Sequence, residues 1–489
     1  MNRDKELYKQ LRALPWDKLW SEQVPRFNAA TARERMERVA VIRAVGVVFA
    51  ASGPPERLGE VKAWLHSLLR DSEEKIRRYA AAALPKIGAD SQDEVELLAV
   101  AKSAATPREK EHIGKALGKI GGKETLKNAD ALPSRVVQRV RAKVSRSETP
   151  SVVSLDPPLS DFANVLIHLR SRSGLEKFVE EEATAQKLKI RERHRGLIIV
   201  NATKPLSLTD IFKMRCFDSV AFALNIAGDA AAVATSPSAL KLLKSLTEGP
   251  IRYRIDFLDK GHQRAAVAKL AEQIHARQPE LINGGGDTPW TLEIRGAHVQ
   301  FAPKILPDPR FAYRRRDVPA ASHPPLAACM ARLAGRDEGD VIWDPFCGSG
   351  VELVERWMLG GVRQIIGTDL SAAAIEIARA NLSAAGIQSS DINLVASDFR
   401  KFDARDVSLI LTNPPMGRRV PIPDLRGLID DLFRTAARTL RPGGRLVLAN
   451  PVGATSASRL FHRDFSQLID MGGFHCRLEK YTLLARKNP

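Results

Sequence analysis

Residues 409–420 read LILTNPPMGRRV, an apolar strand pattern that ends at Asn413-Pro414-Pro415. Two consecutive prolines stop a strand, because neither has an N–H to donate to the ladder and each fixes its φ at about −65°. The side chain of Asn413 is therefore expected at a rigid strand end, with its amide held in place. Taken alone, the segment fits equally well a buried run that meets an ordinary polar turn.

Glycines and carboxylates end two upstream strand patterns. The segment VIWDPFCGSG ends its apolar run at Asp344 and turns through Gly348 and Gly350 into a helical pattern. Such a glycine turn lets the backbone approach a ligand closely and presents amide groups at a helix N-terminus. The next strand, QIIGTDL, ends at Asp369, where a carboxylate can accept hydrogen bonds from both hydroxyls of a ribose.

Two more strand patterns complete the series. INLVASDF places Asp398 and Phe399 at a strand end, suited to bond an adenine amino group and to cover its ring, and RPGGRLVLAN supplies a fifth strand. Together the strand ends predict a doubly wound sheet that binds its ligands at one edge. Binding of NAD is the competing interpretation of the first two units. It leaves Asn-Pro-Pro unexplained, and DPFCGSG lacks the GxGxxG order.

This constellation resembles the class I S-adenosylmethionine-dependent methyltransferases of the amino-methylating type, over most of residues 311–489. The resemblance implies S-adenosyl-L-methionine as the cofactor and implies no metal ion. The implied cofactor-binding residues are Asp344, Phe346, Gly348, Gly350, Asp369, Leu370, Asp398 and Phe399. The implied catalytic residues are Asn413, Pro414, Pro415 and Met416, and the implied substrate-binding residues are Arg418 and Arg419.

The implied chemistry concerns the exocyclic amine of guanine or adenine, a poor nucleophile because its lone pair is conjugated with the ring. The side-chain oxygen of Asn413 and the carbonyl of Pro414 would accept its two N–H bonds and favour a pyramidal nitrogen. Rate then comes chiefly from alignment and from acceptors matched to developing positive charge. The family usually has Tyr or Phe after the prolines to stack on the base. This chain has Met416, which gives a less oriented contact.

Three neighbouring features have two interpretations each. Cys347 is either the nucleophile of a carbon-5 pyrimidine methyltransferase or a small structural residue in the glycine turn, which we favour. Arg418 and Arg419 either clamp a phosphate of the extruded nucleotide or belong to a solvated loop. Tyr313, which three arginines follow, is either part of an RNA-facing patch or part of an interdomain linker.

An internal repeat marks the N-terminal region. The sequence ALPKIG at 83–88 recurs 33 residues later as ALGKIG at 116–121, and residues 41–53 give a fainter third copy. Each copy ends an alanine-rich helical pattern at a glycine. This spacing resembles a short HEAT-like α-solenoid over residues 1–130, or else reflects an irregular helical bundle. Either way, the segment predicts an interaction module that contacts RNA or a protein partner.

The middle of the chain has a mixed α/β pattern. Residues 131–160 are rich in Pro, Ser and charge, which predicts a linker. Strands at 164–170 and 196–202, a helix at 173–186 and a helix with the sequence KMRCFDSV then resemble the ferredoxin-like piece of THUMP-containing RNA methyltransferases. Strands at 253–259 and 290–296, which flank a helix at 263–277, extend a predicted RNA-binding region over 161–310.

Composition limits the function classes. The 489 residues carry a net charge of +18, and the first 150 residues hold 29 basic and 20 acidic side chains. A basic excess of this kind favours a polyanionic partner, most commonly nucleic acid. The charged N-terminus without an apolar segment and the four scattered cysteines predict a cytoplasmic protein with no membrane association.

The sequence therefore predicts a multidomain α and α/β protein with three parts: an N-terminal α-solenoid, a central ferredoxin-like and THUMP-like α+β region, and a C-terminal Rossmann-like methyltransferase domain at 311–489. The expected activity is methylation of N2 of a guanine in structured rRNA or tRNA, with the base taken out of its stack. A DNA adenine or protein glutamine methyltransferase and a non-catalytic RNA-binding scaffold are the alternatives.

Overall fold

The computed structural model describes residues 3–259, 261, 263–285, 288–296, 298–319, 321–417 and 422–484. These residues form two compact units, Met1–Pro150 and Ser151–Pro489. The first unit is helical, and the second contains both helices and sheets.

Helices of the first unit pack around a single apolar core. They are α1 (Arg3–Arg12), α2 (Trp16–Lys18), α3 (Val24–Asn28), α4 (Ala32–Glu37), α5 (Ala40–Ser52), α6 (Leu58–Leu69), α7 (Glu74–Ala83), α8 (Ser91–Ser103), α9 (Pro107–Ile120), α10 (Lys123–Lys127) and α11 (Ser134–Glu148). Helices α5, α7, α9 and α11 contact one another in that order, so the repeated segments lie side by side.

Glycines end the repeated helices as their positions predict. Gly53 follows α5 and donates its N–H to the carbonyl of Phe49 at 2.8 Å, and Gly121 follows α9 and donates to Leu117 at 2.7 Å. Gly88, at φ +89°, ends the short turn after α7. The close packing of α5 on α7 requires a small residue, because a Cβ at Gly46 would lie 2.9 Å from that of Ala83.

The predicted linker is wrong over residues 134–148. This segment is helix α11, and its valines at positions 137, 140 and 144 are buried. Their spacing is that of one helix face, a signal that the Ser and Pro content of the surrounding residues obscured. The boundary between the two units lies at residues 150 and 151.

The second unit contains two large sheets and one small one. Its strands are β1 (Val152–Val153), β2 (Val165–Arg170), β3 (Lys189–His194), β4 (Leu197–Asn201), β5 (Ser219–Leu224), β6 (Thr247–Glu248), β7 (Arg252–Phe257), β8 (Ile282–Asn283), β9 (Trp290–Arg295), β10 (His298–Pro303), β11 (Asp340–Asp344), β12 (Val362–Asp369), β13 (Ile392–Ala396), β14 (Val407–Thr412), β15 (Leu440–Asn450), β16 (Phe461–Asp470) and β17 (His475–Leu483). Its helices are α12 (Glu176–Ala185), α13 (Leu208–Ile211), α14 (Ala230–Ala234), α15 (Pro237–Ser245), α16 (Arg264–Arg277), α17 (Pro324–Ala334), α18 (Val351–Trp357), α19 (Ala372–Ala384) and α20 (Leu425–Thr439).

The sheet of the central region has eight strands in the order β3-β4-β2-β5-β10-β9-β7-β8. Its predicted strands at 164–170, 196–202, 253–259 and 290–296 are confirmed as β2, β4, β7 and β9, and the predicted helices at 173–186 and 263–277 as α12 and α16. The helix predicted over MRCFDSV is wrong. The backbone N–H groups of Arg215 and Cys216 donate instead to the buried carboxylate of Glu182 at 2.7 Å, which holds a turn before β5.

The C-terminal sheet has the order β13-β12-β11-β14-β15-β17-β16. Its first five strands are parallel, and β17 runs antiparallel to both of its neighbours. The crossover from β12 and β13 to β14 on the other side of β11 makes β11 the switch point, where doubly wound sheets bind their ligands. The predicted strands that end at Asp344, at Asp369 and at Asn413-Pro414-Pro415 are confirmed as β11, β12 and β14, and β14 ends at Thr412.

No helix in the described part of the chain is both long enough and apolar enough to cross a membrane.

Candidate functional site at the carboxyl edge of the C-terminal sheet

The glycine turn after β11 is held against the end of β12. Cys347 donates its N–H to the carbonyl of Thr368 at 2.9 Å, and Gly348 donates to the carboxylate of Asp369 at 3.1 Å. Gly348 and Gly350 have φ values of +48° and +79°, which L side chains rarely adopt. A Cβ at Gly350 would lie 2.5 Å from the side chain of Leu382. The turn therefore needs glycine at both positions.

Asp369 is half-buried at the end of β12. Its second carboxylate oxygen accepts the N–H of Ser371 at 2.9 Å. The next residue, Leu370, is 80% exposed, which is unusual for a large apolar side chain. A carboxylate with free lone pairs beside an uncovered apolar side chain suits a ribose hydroxyl pair and a flat ring.

Asp344 is fully buried between the ends of β11 and β14. One of its carboxylate oxygens accepts the Thr412 hydroxyl at 2.6 Å and the N–H of Phe346 at 3.0 Å. Its other oxygen, Oδ2, has no hydrogen-bond partner among the described residues. Burial, followed by the nearby charge of Glu352, raises the pKa of Asp344 well above its ordinary value.

Two more buried polar atoms next to the glycine turn lack partners within the described chain. They are Oε1 of Glu352 and Oγ of Ser349, both in residues less than 4% exposed. Burial raises the pKa of Glu352, and the hydroxyl of Ser322 acts against that rise. Buried polar atoms are rarely left unpaired because desolvation costs free energy. Such a group is typical of a site whose donors come from a ligand.

Asn413 follows β14 in a defined orientation. Its Nδ2 group donates to Oγ of Ser322 at 2.7 Å, whereas its Oδ1 is buried and has no partner among the described residues. Pro414 is buried, and Met416 is half-buried against the apolar core. The stiff strand end thus holds one side-chain acceptor that no described residue uses.

Asp398 and Phe399 lie just beyond the end of β13. Both carboxylate oxygens of Asp398 are paired with the guanidinium of Arg400, the shortest contact being 2.6 Å. This pairing lowers the pKa of Asp398. Phe399 is buried and packs at a tilt on Phe346, with 4.9 Å between ring centroids. The predicted adenine acceptor is therefore paired with a cation, with which an adenine amino group would have to share it.

Two residues that were not predicted from the sequence fix the segment before the sheet. Asn381, on α19, accepts the N–H of Arg315 at 2.9 Å and donates to the carbonyl of Ser349 at 2.9 Å, so it ties this segment to the glycine turn. Ser322 orients Asn413. Neither residue has a sequence signal, because each acts on a partner more than 30 positions away.

Two predicted features have different outcomes. Tyr313 is not an RNA-facing side chain, because it is buried and donates its hydroxyl to Glu355 at 2.6 Å. Arg418 and Arg419 lie outside the described residues. Burial raises the pKa of the Cys347 thiol well above its ordinary value, which agrees with a structural rather than a nucleophilic role.

Residues 312–475 match the UPF0020 family, described as an RMKL-like methyltransferase domain. A tRNA (guanine(10)-N2)-dimethyltransferase of Methanothermobacter thermautotrophicus is 35% identical over 143 residues, which are 27% of this chain and 39% of the relative. A ribosomal protein L11 methyltransferase of Pseudomonas putida is 31% identical over 150 residues, 30% of this chain and 45% of the relative. The chain thus spans less than half the length of both relatives.

The solved structure of TrmN from Thermus thermophilus resembles the fold of this chain. It aligns with a TM-score of 0.51 and 20% sequence identity, over 65% of this chain and 100% of that protein. At this identity the likeness concerns the fold, which is the α/β fold of a methyltransferase with substantial helical content.

Proposed function

We propose that the chain is an S-adenosylmethionine-dependent methyltransferase that acts on N2 of a guanine in structured tRNA or rRNA. The observation that carries the proposal is Oδ1 of Asn413, which is buried at a proline-stiffened strand end and has no hydrogen-bond partner among the described residues. A guanine amine has two N–H bonds to donate. An acceptor fixed before the substrate arrives needs no reorganisation during the reaction.

The reacting group is held by the strand end itself. Oδ1 of Asn413 and the carbonyl of Pro414 accept the two N–H bonds of the amine, which directs its lone pair outward. Ser322 takes the Nδ2 group of Asn413 and so leaves the oxygen for the substrate. Met416 packs against the extruded base, and Arg418 and Arg419 bind its phosphate.

The described residues fit the proposed cofactor at the glycine turn. S-adenosylmethionine supplies a methyl group activated by a sulfonium. Asp369 binds the ribose hydroxyls, and the exposed Leu370 and the Phe346–Phe399 pair bind the adenine, with Asp398 as acceptor for its amino group. The oxygens of Asp344, Ser349 and Glu352 that have no partner in the described part of the chain are acceptors for the donors of the methionine part.

The similarity to guanine-N2 tRNA methyltransferases over the catalytic segment supports RNA as the substrate. The similarity to ribosomal protein L11 methyltransferases supports a second candidate, methylation of a protein amine. The net charge of +18 favours RNA, because counterion release from a polyanion adds to binding.

The remaining parts are proposed to position that RNA in the cytoplasm. The helices of residues 1–150 form a short HEAT-like repeat array, which the order of contacts among α5, α7 and α9 supports. The eight-stranded sheet belongs to a ferredoxin-like and THUMP-like RNA-binding region. A protein partner of the repeats is the alternative for the first unit.

Transfer of a tritiated methyl group to total cellular RNA, total protein and genomic DNA tests the proposal. We expect label in RNA, recovered after digestion as N2-methylguanosine. Label in protein alone would favour the second candidate and overturn the first. Isothermal titration should show binding of S-adenosylmethionine that Asp369→Ala weakens strongly. An Asp391→Ala variant serves as the control, since this aspartate is exposed before β13.

A further inference from the structure

Five exposed basic side chains cross the first unit. This basic row consists of Arg43, Lys86, Lys119, Arg139 and Lys143. Arg43 belongs to α5, Lys86 to the turn after α7, Lys119 to α9, and the other two to α11. These helices contact one another in that order, so the row runs from helix to helix across the repeats.

Contacts within the unit place the row's members next to one another. Lys143 donates its ammonium to the carbonyls of Lys119 and Ile120 at 3.2 and 2.8 Å. The side chain of Arg139 lies over Gly118, where a Cβ would be 3.3 Å from its Cδ. Lys86 and Lys119 occupy equivalent positions of the 33-residue repeat.

Several cations elsewhere in this unit form ion pairs with carboxylates. Lys62 pairs with Asp93 at 2.7 Å, Arg70 with Glu96 at 2.6 Å, and Arg77 with Glu109 at 2.5 Å. Among the described residues, no member of the basic row has a carboxylate within ion-pair distance. The row is therefore a contiguous group of cations that no described carboxylate neutralises.

Repulsion between the positive charges of the row affects Lys86, which lies at its centre. Partial desolvation of the Lys86 ammonium group, followed by the positive charges of Arg43 and Lys119, lowers the pKa of Lys86. Arg43 is held in place by the ring of Tyr8, which lies 4.0 Å from its guanidinium carbon. Like charges kept together without counter-charges on a folded surface suit a polyanion, which can bind them through several phosphates at once.

We propose that the basic row is a second RNA-binding surface, which contacts consecutive phosphates of the RNA outside the catalytic site. Phosphate contacts fix register and orientation without reading sequence. The row would therefore add affinity and select the RNA by shape. This inference rests on the proposed function for the identity of the polyanion as RNA.

The test replaces three row residues in the full-length protein, as Arg43→Gln, Lys86→Gln and Lys119→Gln together. The control triple is Arg33→Gln, Lys115→Gln and Lys127→Gln, which removes the same charge from exposed residues of the same unit that pair with Glu37, Glu111 and Glu124. Binding of a fluorescein-labelled, unmodified tRNA transcript is measured by anisotropy at several salt concentrations. Thermal unfolding confirms that both triples fold.

We expect the row triple to weaken binding about tenfold and to reduce the slope of log Kd against log salt by about 2, since each lost phosphate contact removes about 0.7 to 0.9 of slope. The control triple should leave the slope nearly unchanged. Equal effects of both triples, or no effect of the row triple, would overturn the inference.

RNA binding and methyl transfer are measured separately, so that the basic row and the proposed function can fail independently. A row triple with weakened binding, together with a wild-type protein that binds RNA but transfers no methyl group, would sustain the basic row and overturn the proposed function. Normal methyl transfer by the wild type, with unchanged binding by the row triple, would do the reverse.

Discussion

Two regions at the same edge of the C-terminal sheet differ in whether their polar side chains have hydrogen-bond partners. At the ends of β11 and β14, Asp344 is buried and Oδ1 of Asn413 is shielded from solvent, and each residue keeps one oxygen without a partner among the described residues. Beyond β13, Asp398 is paired with the half-exposed Arg400. The pKa of Asp344 is raised and that of Asp398 is lowered. The position at a strand end therefore fixes where a carboxylate lies. It does not fix the pKa of that carboxylate or whether its oxygens are free to bind a ligand.

Loss of the Asn413 side-chain oxygen, the acceptor after β14 that no described residue uses, should have the largest effect on methyl transfer. Asn413→Ala removes the fixed oxygen, and we expect the single-turnover rate of methyl transfer to fall about 100-fold or more, as for loss of one preorganised hydrogen-bonding group. Binding of S-adenosylmethionine should stay within about twofold, because the cofactor residues are untouched. Asn393→Ala, an exposed asparagine on β13, is the control. An unchanged rate for Asn413→Ala would break the contrast between the two regions.

The two carboxylates should respond oppositely to amidation. In Asp344→Asn an oxygen remains for Thr412 and Phe346 while the buried ionisable group is lost. Because the pKa of Asp344 is raised on folding, folding takes up a proton above about pH 5, and this group's contribution to stability falls by about 1.4 kcal/mol per pH unit until its folded pKa is reached. The variant should therefore gain in Tm over the wild type as the pH rises from 5 to 8, measured by calorimetry.

Asp398→Asn is the matched comparison. The pKa of Asp398 is lowered on folding, so its contribution is present above its ordinary pKa and is lost as the pH falls through the folded value. Its amidation should lower Tm at neutral pH by the equivalent of at most about 1 kcal/mol, because Arg400 is solvent-screened. A Tm change of the same sign in both variants would contradict the difference between the regions.

Orientation of the Asn413 amide should have a smaller effect than its presence. Ser322→Ala removes the acceptor of Nδ2, so the amide is free to turn and kcat should fall about tenfold, the equivalent of one hydrogen bond. The KM for RNA should not change, since Ser322 does not contact the substrate in the proposed arrangement. Ser322→Thr keeps the hydroxyl and should restore kcat. Failure of Thr to rescue would indicate a packing role.

Release of the paired carboxylate should have the smallest effect. Arg400→Gln frees Asp398 for the adenine amino group, and we expect the Kd for S-adenosylmethionine to tighten about two- to fivefold, within the range of an exposed ion pair. Arg405→Gln, which breaks the exposed pair with Asp403, should leave the Kd unchanged. Weaker binding by Arg400→Gln would show that the ion pair positions Asp398 instead of competing with the cofactor.

Elements with a strong local pattern were predictable. The strands β11, β12 and β14 contain short apolar runs that end in a polar residue or a turn, and the glycine-terminated repeats carry their own C-caps. Local pattern failed where a distant group decides the backbone. The turn at Arg215 and Cys216 depends on the carboxylate of Glu182, more than 30 residues upstream. Helix α11 was missed because the composition around it outweighed the spacing of its three valines.

The sequence by itself determined which residues stand at the carboxyl ends of the parallel strands. Short apolar runs fix the length of each strand, and the prolines and glycines that follow fix the geometry of each turn. Only the tertiary structure decided what those residues are able to do. Ser322 turns the amide of Asn413, burial changes the charge preference of Asp344, and Arg400 occupies Asp398. Hydrogen-bond partners and desolvation come from residues far apart in the chain, so no local pattern records them.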